Sequence, residues 1–287
     1  MSYIRLVISG SRFRYVYDKW KGTFSTLVKN QKHLIEKPIE LNIWRAPMDN
    51  DRNIKKEWKA AGYNRARTKV YHTEWKYEGE NLTITSEFSL AAAYLQKILE
   101  GEIIWTITPC GKIIVSVNAE RKTLHPRMLN RPLDPMPFLP RFGLRLFLPK
   151  AYNKVTYFGY GPQESYIDKH RDSTLGLFKA DITSLHEDYL RPQENGSHWG
   201  CTGLSLASSD GRNLLVSGQE FSFNASRHTQ EELETKAHSF ELEESSYTVL
   251  CLDGYMSGCG SNSCGPELFE KYRVNEKELH MTFTLEL

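Results

Sequence analysis

Residues 103–117, IIWTITPCGKIIVSV, hold two short runs of largely alternating apolar and polar side chains, separated by Pro109 and Gly111. Alternation sends every second side chain to one face of a strand, and Ile, Val, Thr and Trp all suit a pleated, half-buried surface. The pattern recurs outward in both directions. YIRLVIS (3–9), LTITSEF (82–88) and FGLRLFL (142–148) show it, as do runs at 203–207, 213–218, 247–252 and 280–287. Helical signals are few. DRNIKKEWKAA (51–61) allows about three turns with Ile54, Trp58 and Ala61 on one stripe, and TQEELET (229–235) opens on a capping-box-like Thr. Neither is long enough to cover a sheet, so strands joined by loops must build the core. The expected fold is all-β: one large antiparallel domain over residues 1–287, closed by an N-terminal strand and helix segment.

Two irregular stretches interrupt the runs. TLHPRMLNRPLDPMPFLP (123–140) carries five prolines and is expected to cross an edge without pairing. FGYGPQESYIDKHRD (158–172) packs Gly, Pro, carboxylates, aromatics and His together and reads as a functional or interfacial loop. No internal repeat, heptad or low-complexity linker divides the chain.

Composition narrows the function. The 287 residues are 40% hydrophobic, and 37 basic against 35 acidic side chains leave a formal charge of +2. No concentrated basic footprint suggests nucleic acid or an anionic membrane surface, and no apolar run reaches the ~18–20 residues of a membrane helix. The first twenty residues lack the continuous apolar stretch of a signal peptide. Five cysteines without a CxxC pair or regular spacing are no disulfide framework, so reduced thiols in a cytoplasm are expected. No closely spaced ligand pairs indicate zinc, and Gly159-Tyr160-Gly161 opens no helix after a strand, so no dinucleotide is implied.

Candidate chemistry lies in carboxylate-bearing loops: Asp49 and Asp51 in MDNDR, Glu164 and Asp168 in PQESYID, and Glu194 in RPQENG. Each reads first as a loop cap, accepting backbone N–H groups and pairing with a neighbouring Arg or Lys. Histidines of the second half, among them His170, His186, His198, His228 and His238, are scattered and do not single out an acid or base. DGYMSGCGSNSCGPEL (253–268) is the most unusual stretch, with four glycines, three serines and two cysteines. Such a loop needs special backbone angles or a close approach. Cys264 has no neighbouring base in sequence and reads as a packed, inert thiol.

Five ordered blocks resemble one family. WRAPMDNDRN (44–53) with WKAAGY (58–63), YFGYGPQESYIDKHRDSTLGLFKADI (157–182), YLRPQENGSHWGCTGLSL (189–206), FNASRHTQEELETKAHSFEL (223–242) and DGYMSGCGSNSCGPEL are similar to stretches of the long bacterial β-galactosidases of glycoside hydrolase family two. The resemblance implies a C-terminal domain, or a separately encoded small subunit, with a supersandwich fold like that of galactose mutarotase. It places both catalytic glutamates in a TIM-barrel region outside this chain, which becomes the expected partner, together with a galactoside substrate and an oligomer of the full enzyme. It implies no cofactor in this chain, the magnesium and sodium of the family's enzymes lying outside the domain. Pocket lining falls by resemblance to Asp49, Asn50, Asp51 and Arg52 of the DND loop, and to Asn262, Ser263 and Cys264 of the closing loop. Arg45, Glu164, Tyr166, Asp168, Arg191, Glu194 and Asn195 are the polar residues of the matching motifs. Cys264 stands where some members place a Trp that stacks on sugar, and its loss removes ~0.5–1.5 kcal/mol of stacking. Asn53 replaces the usual Gly, with an expected cost if the position needs a positive φ. A free-standing mutarotase-like epimerase or a lectin-type sandwich is the alternative reading.

Overall fold

The computed structural model describes residues 4–122 and 136–287. A small sheet comes first in the chain, built from β1 (Arg5–Ser9), β2 (Phe13–Asp18), β3 (Thr23–Lys29) and the two-residue β4 (Lys32–His33), in that order. Twelve strands form the second sheet: β5 (Lys37–Asn42), β6 (Arg67–Glu78), β7 (Asn81–Ala91), β8 (Lys97–Ile107), β9 (Ile113–Arg121), β10 (Arg141–Pro149), β11 (Tyr152–Gly161), β12 (Thr174–Asp181), β13 (Ser197–Ser208), β14 (Asn213–Ser226), β15 (Tyr247–Met256) and β16 (Glu278–Glu286). Every strand pair among the described residues is antiparallel, as the alternating runs predict.

The main path of the large sheet runs β12-β11-β13-β14-β16-β9-β8-β7-β6, and β15, β10 and β5 branch from it. The branch point is the fourteen-residue β14. Its first half, Leu215 to Gly218, pairs with β16, whereas Ser222 to Ser226 pairs with β15. One long strand thus serves two partners on the same side at different heights, and the larger of two apolar clusters gathers residues from both sheets.

Aromatic side chains with polar tips join the small sheet to the large one. Tyr15 donates its hydroxyl to the Gly111 carbonyl at 2.7 Å, and the Trp105 indole donates to the Gly22 carbonyl at 3.0 Å. Phe24 meets Trp105 edge-on at 5.2 Å between centroids. Rings bring large apolar area, and their N–H and O–H groups find acceptors where a bare hydrocarbon would leave carbonyls unpaired.

Several expectations change. The N-terminal segment is a four-stranded sheet rather than a single closing strand. The helix expected over 51–61 shrinks to α1 (Ile54–Ala60), preceded by a 3₁₀ turn at Asp49–Asp51. It is pinned by Trp58, whose indole donates to the Phe138 carbonyl at 2.7 Å. The second helix, α2 (Gln230–Thr235), forms as expected, with the Thr229 hydroxyl accepting from the Glu232 N–H at 3.1 Å. The loop read at 158–172 begins later, because its first four residues complete β11. The proline-rich segment lies, over 123–135, outside the described residues.

Candidate functional site

The DND turn forms around a buried ion pair. Arg45 is fully buried and grips Asp51 with two hydrogen bonds, Nε to Oδ2 at 3.0 Å and Nη2 to Oδ1 at 2.8 Å. The same guanidinium donates to the carbonyls of Ser257 and Gly258, at 2.7 and 3.0 Å, at the root of the closing loop. Asp51 also accepts the Met48 N–H at 2.9 Å, which closes the turn. A rigid planar donor fork suits this task better than a flexible ammonium.

With Asp51 turned inward, the rest of the turn faces out. Asp49 and Arg52 are exposed, and Asn50 is half-buried. Asn50 spans the gap to the closing loop, donating to the Gly260 carbonyl at 2.7 Å and accepting the Ser263 N–H at 3.3 Å. Asn53 donates to the Asn262 side chain at 2.7 Å. Its φ of −91° lies outside the left-handed region, so the expected backbone cost of Asn in place of Gly does not arise.

A second buried arginine organises the RPQENG block. Arg141 sits at the start of β10, where Phe142 and Gly143 shift register against β15. A Cβ at Gly143 would meet the Leu252 carbonyl oxygen at 2.2 Å, so the strands approach this closely only because that residue is glycine. Arg141 binds Asp253 through two hydrogen bonds of 3.0 and 2.8 Å, Glu194 at 2.8 Å and the Asn224 side-chain oxygen at 2.7 Å. The other oxygen of Glu194 accepts the Ala46 N–H at 3.2 Å, which ties this cluster to the WRAP stretch. Asn195 works locally, accepting the Glu187 N–H at 3.1 Å and donating to the Gln193 carbonyl at 2.8 Å.

Glu164 is the hub of the third loop. Only 7% exposed, it accepts the Gly196 N–H at 2.9 Å and the Tyr166 hydroxyl at 3.3 Å, and its other oxygen takes both Lys169 and the Tyr189 hydroxyl. Burial, with Glu164 beside them, drives the Tyr166 phenol well above its ordinary value and pushes Tyr189 up to about 12. Both therefore remain hydrogen-bond donors at neutral pH. Asp168 reaches across to the closing loop and accepts the N–H groups of Cys259 and Gly260 at 2.8 and 2.7 Å. Gly258 makes room for it, since a Cβ there would lie 2.5 Å from the carboxylate carbon.

The three loops enclose a cleft of about 530 Å³. Of the residues expected at a site, Asp49, Asn50, Glu164, Asp168 and Ser263 line it. Arg45, Asp51, Tyr166, Glu194 and Asn195 instead form its buried frame, and Asp51 and Asn262 border a neighbouring cavity of about 310 Å³. Arg52, Arg191 and Cys264 are exposed outside the cleft lining. The packed thiol expected at Cys264 is thus corrected: the surrounding small side chains leave it open to solvent. Lys169 and Tyr189 line the cleft and were not singled out from the sequence, although both stand inside the matching motifs. The buried carboxylates hold backbone N–H groups and Arg or Lys, the capping role that base chemistry assigns to such loops. Among the described residues no group of three or more His, Cys, Asp or Glu is placed to hold a metal ion.

The thiols give a direct check of this geometry. Cys264 and Cys110 are exposed, whereas Cys201 and Cys251 are buried. A thiol reagent should modify Cys264 and Cys110 at once in the native chain, and Cys201 and Cys251 only on denaturation. A Cys264→Ser variant with an unchanged count of fast-reacting thiols would contradict the exposed closing loop.

The model of the beta galactosidase small chain family matches residues 9–285. A beta-galactosidase of Actinobacillus pleuropneumoniae is 44% identical over 284 residues, covering 99% of this chain and 27% of that protein. One from Staphylococcus xylosus is 33% identical over 276 residues, covering 96% of this chain and 27% of that protein. Among solved structures, a galactose mutarotase-like protein from Lactobacillus casei aligns with a TM-score of 0.49 at 9% identity, covering 98% of this chain and 99% of that one. The chain spans about a quarter of the length of the curated relatives it matches. With the match extending over nearly all its residues, the chain belongs to the beta galactosidase small chain family.

Proposed function

We propose that this chain is the non-catalytic part of a retaining β-galactosidase of glycoside hydrolase family two, forming one wall of a galactoside pocket completed by a TIM-barrel region or large subunit. The observation that carries this reading is the convergence of the DND, PQESYID and closing loops on one open polar cleft, with Arg45 and Arg141 holding the frame beneath it. Asn50, Ser263, Lys169 and Tyr189 present donors and acceptors suited to sugar hydroxyls. The carboxylates Glu164 and Asp168 are occupied by N–H, O–H and ammonium donors, which leaves them positioning the loops rather than attacking a glycosidic bond. Retaining hydrolysis needs two carboxyl groups ~5–5.5 Å apart across the sugar, and the barrel would supply both. All five cysteines are free, which suits work in a reducing cytoplasm. No helix of the described residues is long and apolar enough to cross a membrane.

Two measurements test this. The purified chain should release no nitrophenol from a nitrophenyl β-galactoside, and activity should appear when the remaining polypeptide of a beta-galactosidase is added. It should also bind galactose in the millimolar range or worse, because one wall buries too little of a monosaccharide to offset the cost of association. Turnover by the chain alone, lost when a carboxylate of the cleft is replaced, would sink the proposal. A micromolar constant for galactose by calorimetry would favour a free-standing sugar-binding sandwich instead.

A further inference from the structure

The outermost strand pair of the large sheet carries an apolar stretch on its solvent side. Among the described residues β12 pairs only with β11, so its far edge is open. Alternation sends Phe178 and Ala180 inward, against the core, and Leu175, Leu177 and Lys179 outward. Leu175 and Leu177 are 55% and 67% exposed, and Leu177 lies opposite Phe158 of β11, itself 43% exposed. On the other side of Phe158 the register places Gly203 of β13, where an added Cβ would meet nothing within 4 Å, so the ring is open from that direction. Charge begins only farther along the pair, at Lys179 and then at Lys154 and Asp181, 3.8 Å apart.

At its other end the stretch runs into the cleft. Leu175 lies opposite Tyr160, whose ring stacks on Trp199 at 5.0 Å, and Trp199 stacks in turn on His170 at 4.7 Å. All three rings are half-buried, so part of each still meets solvent. His170 adjoins Lys169, which lines the cleft. A largely apolar band therefore extends from the cleft mouth to the sheet edge. Contiguous exposed apolar side chains, and an open edge strand with few charges, are features that folded proteins keep where a partner covers them. Three exposed side chains fall well short of the ~800 Å² per partner of a free-standing interface. The band is thus too small to hold a dimer by itself and suits the extension of a contact seated next to it, at the cleft.

We propose that the band docks the larger polypeptide that completes the galactoside pocket, which spreads from the cleft onto the outer face of β11 and β12 with an apolar, uncharged surface of its own. This rests on the reading of the chain as one pocket wall, because a polypeptide lying over the cleft has the band as its next surface. Phe158, Leu175 and Leu177 anchor the contact, and Lys179 marks its border.

Hydroxyl-radical footprinting of the chain alone and of the assembled enzyme is the test, since Leu, Phe and Tyr side chains all react and fall silent when covered. Phe158, Leu175 and Leu177 should label readily in the chain alone. In the enzyme they should label roughly fivefold less, as close packing at the centre of an interface requires, together with Tyr189 of the cleft. A Leu175→Glu/Leu177→Glu variant should lower the urea concentration at which the assembled enzyme loses half its activity. It should leave the unfolding midpoint of the chain alone unchanged, because both positions are exposed. Lys179→Glu, on the same strand beyond the apolar stretch, should change neither. Protection of Tyr189 without protection of the two leucines would overturn the docking band and leave the pocket-wall reading standing, whereas protection of neither would overturn both. The proposal is overturned also if the leucines are already covered in the chain alone by self-association, a second copy then being the occupant, or if Lys179→Glu acts as strongly as the double variant.

Discussion

Replacing Arg141 with methionine is expected to lower the unfolding free energy by about 3–5 kcal/mol, the range for removing one partner of a buried ion pair. Arg141 and its partners Glu194 and Asp253 are almost wholly buried, with side-chain exposures of 0%, 3% and 0%. Methionine fills much of the space yet returns none of the four hydrogen bonds to Asp253, Glu194 and Asn224. Two carboxylates are then left in the core without a cation, which is far more costly than losing a contact at the surface. Urea unfolding is the measurement. Arg141→Lys should fall between the two, keeping charge but losing the fork that matches the carboxylate. Combining Arg141→Met with Asp253→Asn and Glu194→Gln should recover part of the loss, since it removes the unpaired charges. A loss under about 1 kcal/mol for Arg141→Met would mean the cluster does not hold the fold.

The same substitution bears on the site. Glu194 joins Arg141 to the Ala46 N–H, and Ala46 adjoins Arg45, which fixes the DND turn and the root of the closing loop. Loosening Arg141 should therefore loosen both walls of the cleft. In an assembled enzyme that appears as weaker substrate binding, even in variants still mostly folded at 25 °C.

Sequence reveals a strand when one face is buried and the other is not. The second half of β8 and the first half of β9 alternate strongly and were read directly, as was most of β16. β6 is an edge strand with most of its twelve residues exposed, so no apolar face marks it. β12, the other edge of the main path, hides its pattern in the same way. β2 fails for the opposite reason: five of its six residues are buried, so it shows no polar face. The loops of the site were legible because their Gly, Pro and carboxylate content is unlike that of a strand. What the loops hold was not. Arg141 lies 112 residues from Asp253 and 53 from Glu194, and no local pattern connects such residues. Lys169 and Tyr189 stood inside matching motifs, yet only the fold brings both to Glu164.

Lowering the pH from 7 to 4.5 should destabilise the chain through His198, by about 2–3 kcal/mol from this residue alone. The ring is 1% exposed, tilted against Tyr157 at 4.4 Å and stacked on Phe223 at 5.2 Å. Its Nδ1 lies 3.2 Å from the Tyr160 carbonyl, which makes Nδ1 the donor of the neutral ring, and its Nε2 has no partner. Burial pushes the imidazole down from the ordinary 6.5 to about 4. The unfolded chain therefore takes up a proton near pH 6.5 that the folded chain refuses until about pH 4. Stability from this group is complete above pH 6.5 and is lost as pH falls, at ~1.36 kcal/mol per unit. Asp253 acts in the opposite sense, because burial raises it to about 6, so the folded state gains its proton first as pH drops. Comparison with a His198→Phe variant separates the two, since Asp253 is common to both proteins. Phenylalanine keeps the ring packing and forfeits the bond to Tyr160 equally at every pH, so it shifts the stability curve without tilting it. Urea unfolding at pH 7 and 4.5 should show the variant losing about 2–3 kcal/mol less than the parent over that interval. Parallel curves would show that His198 does not titrate between the folded and unfolded states, and that its unpartnered nitrogen is met by a proton or water that keeps the ring's ordinary acidity.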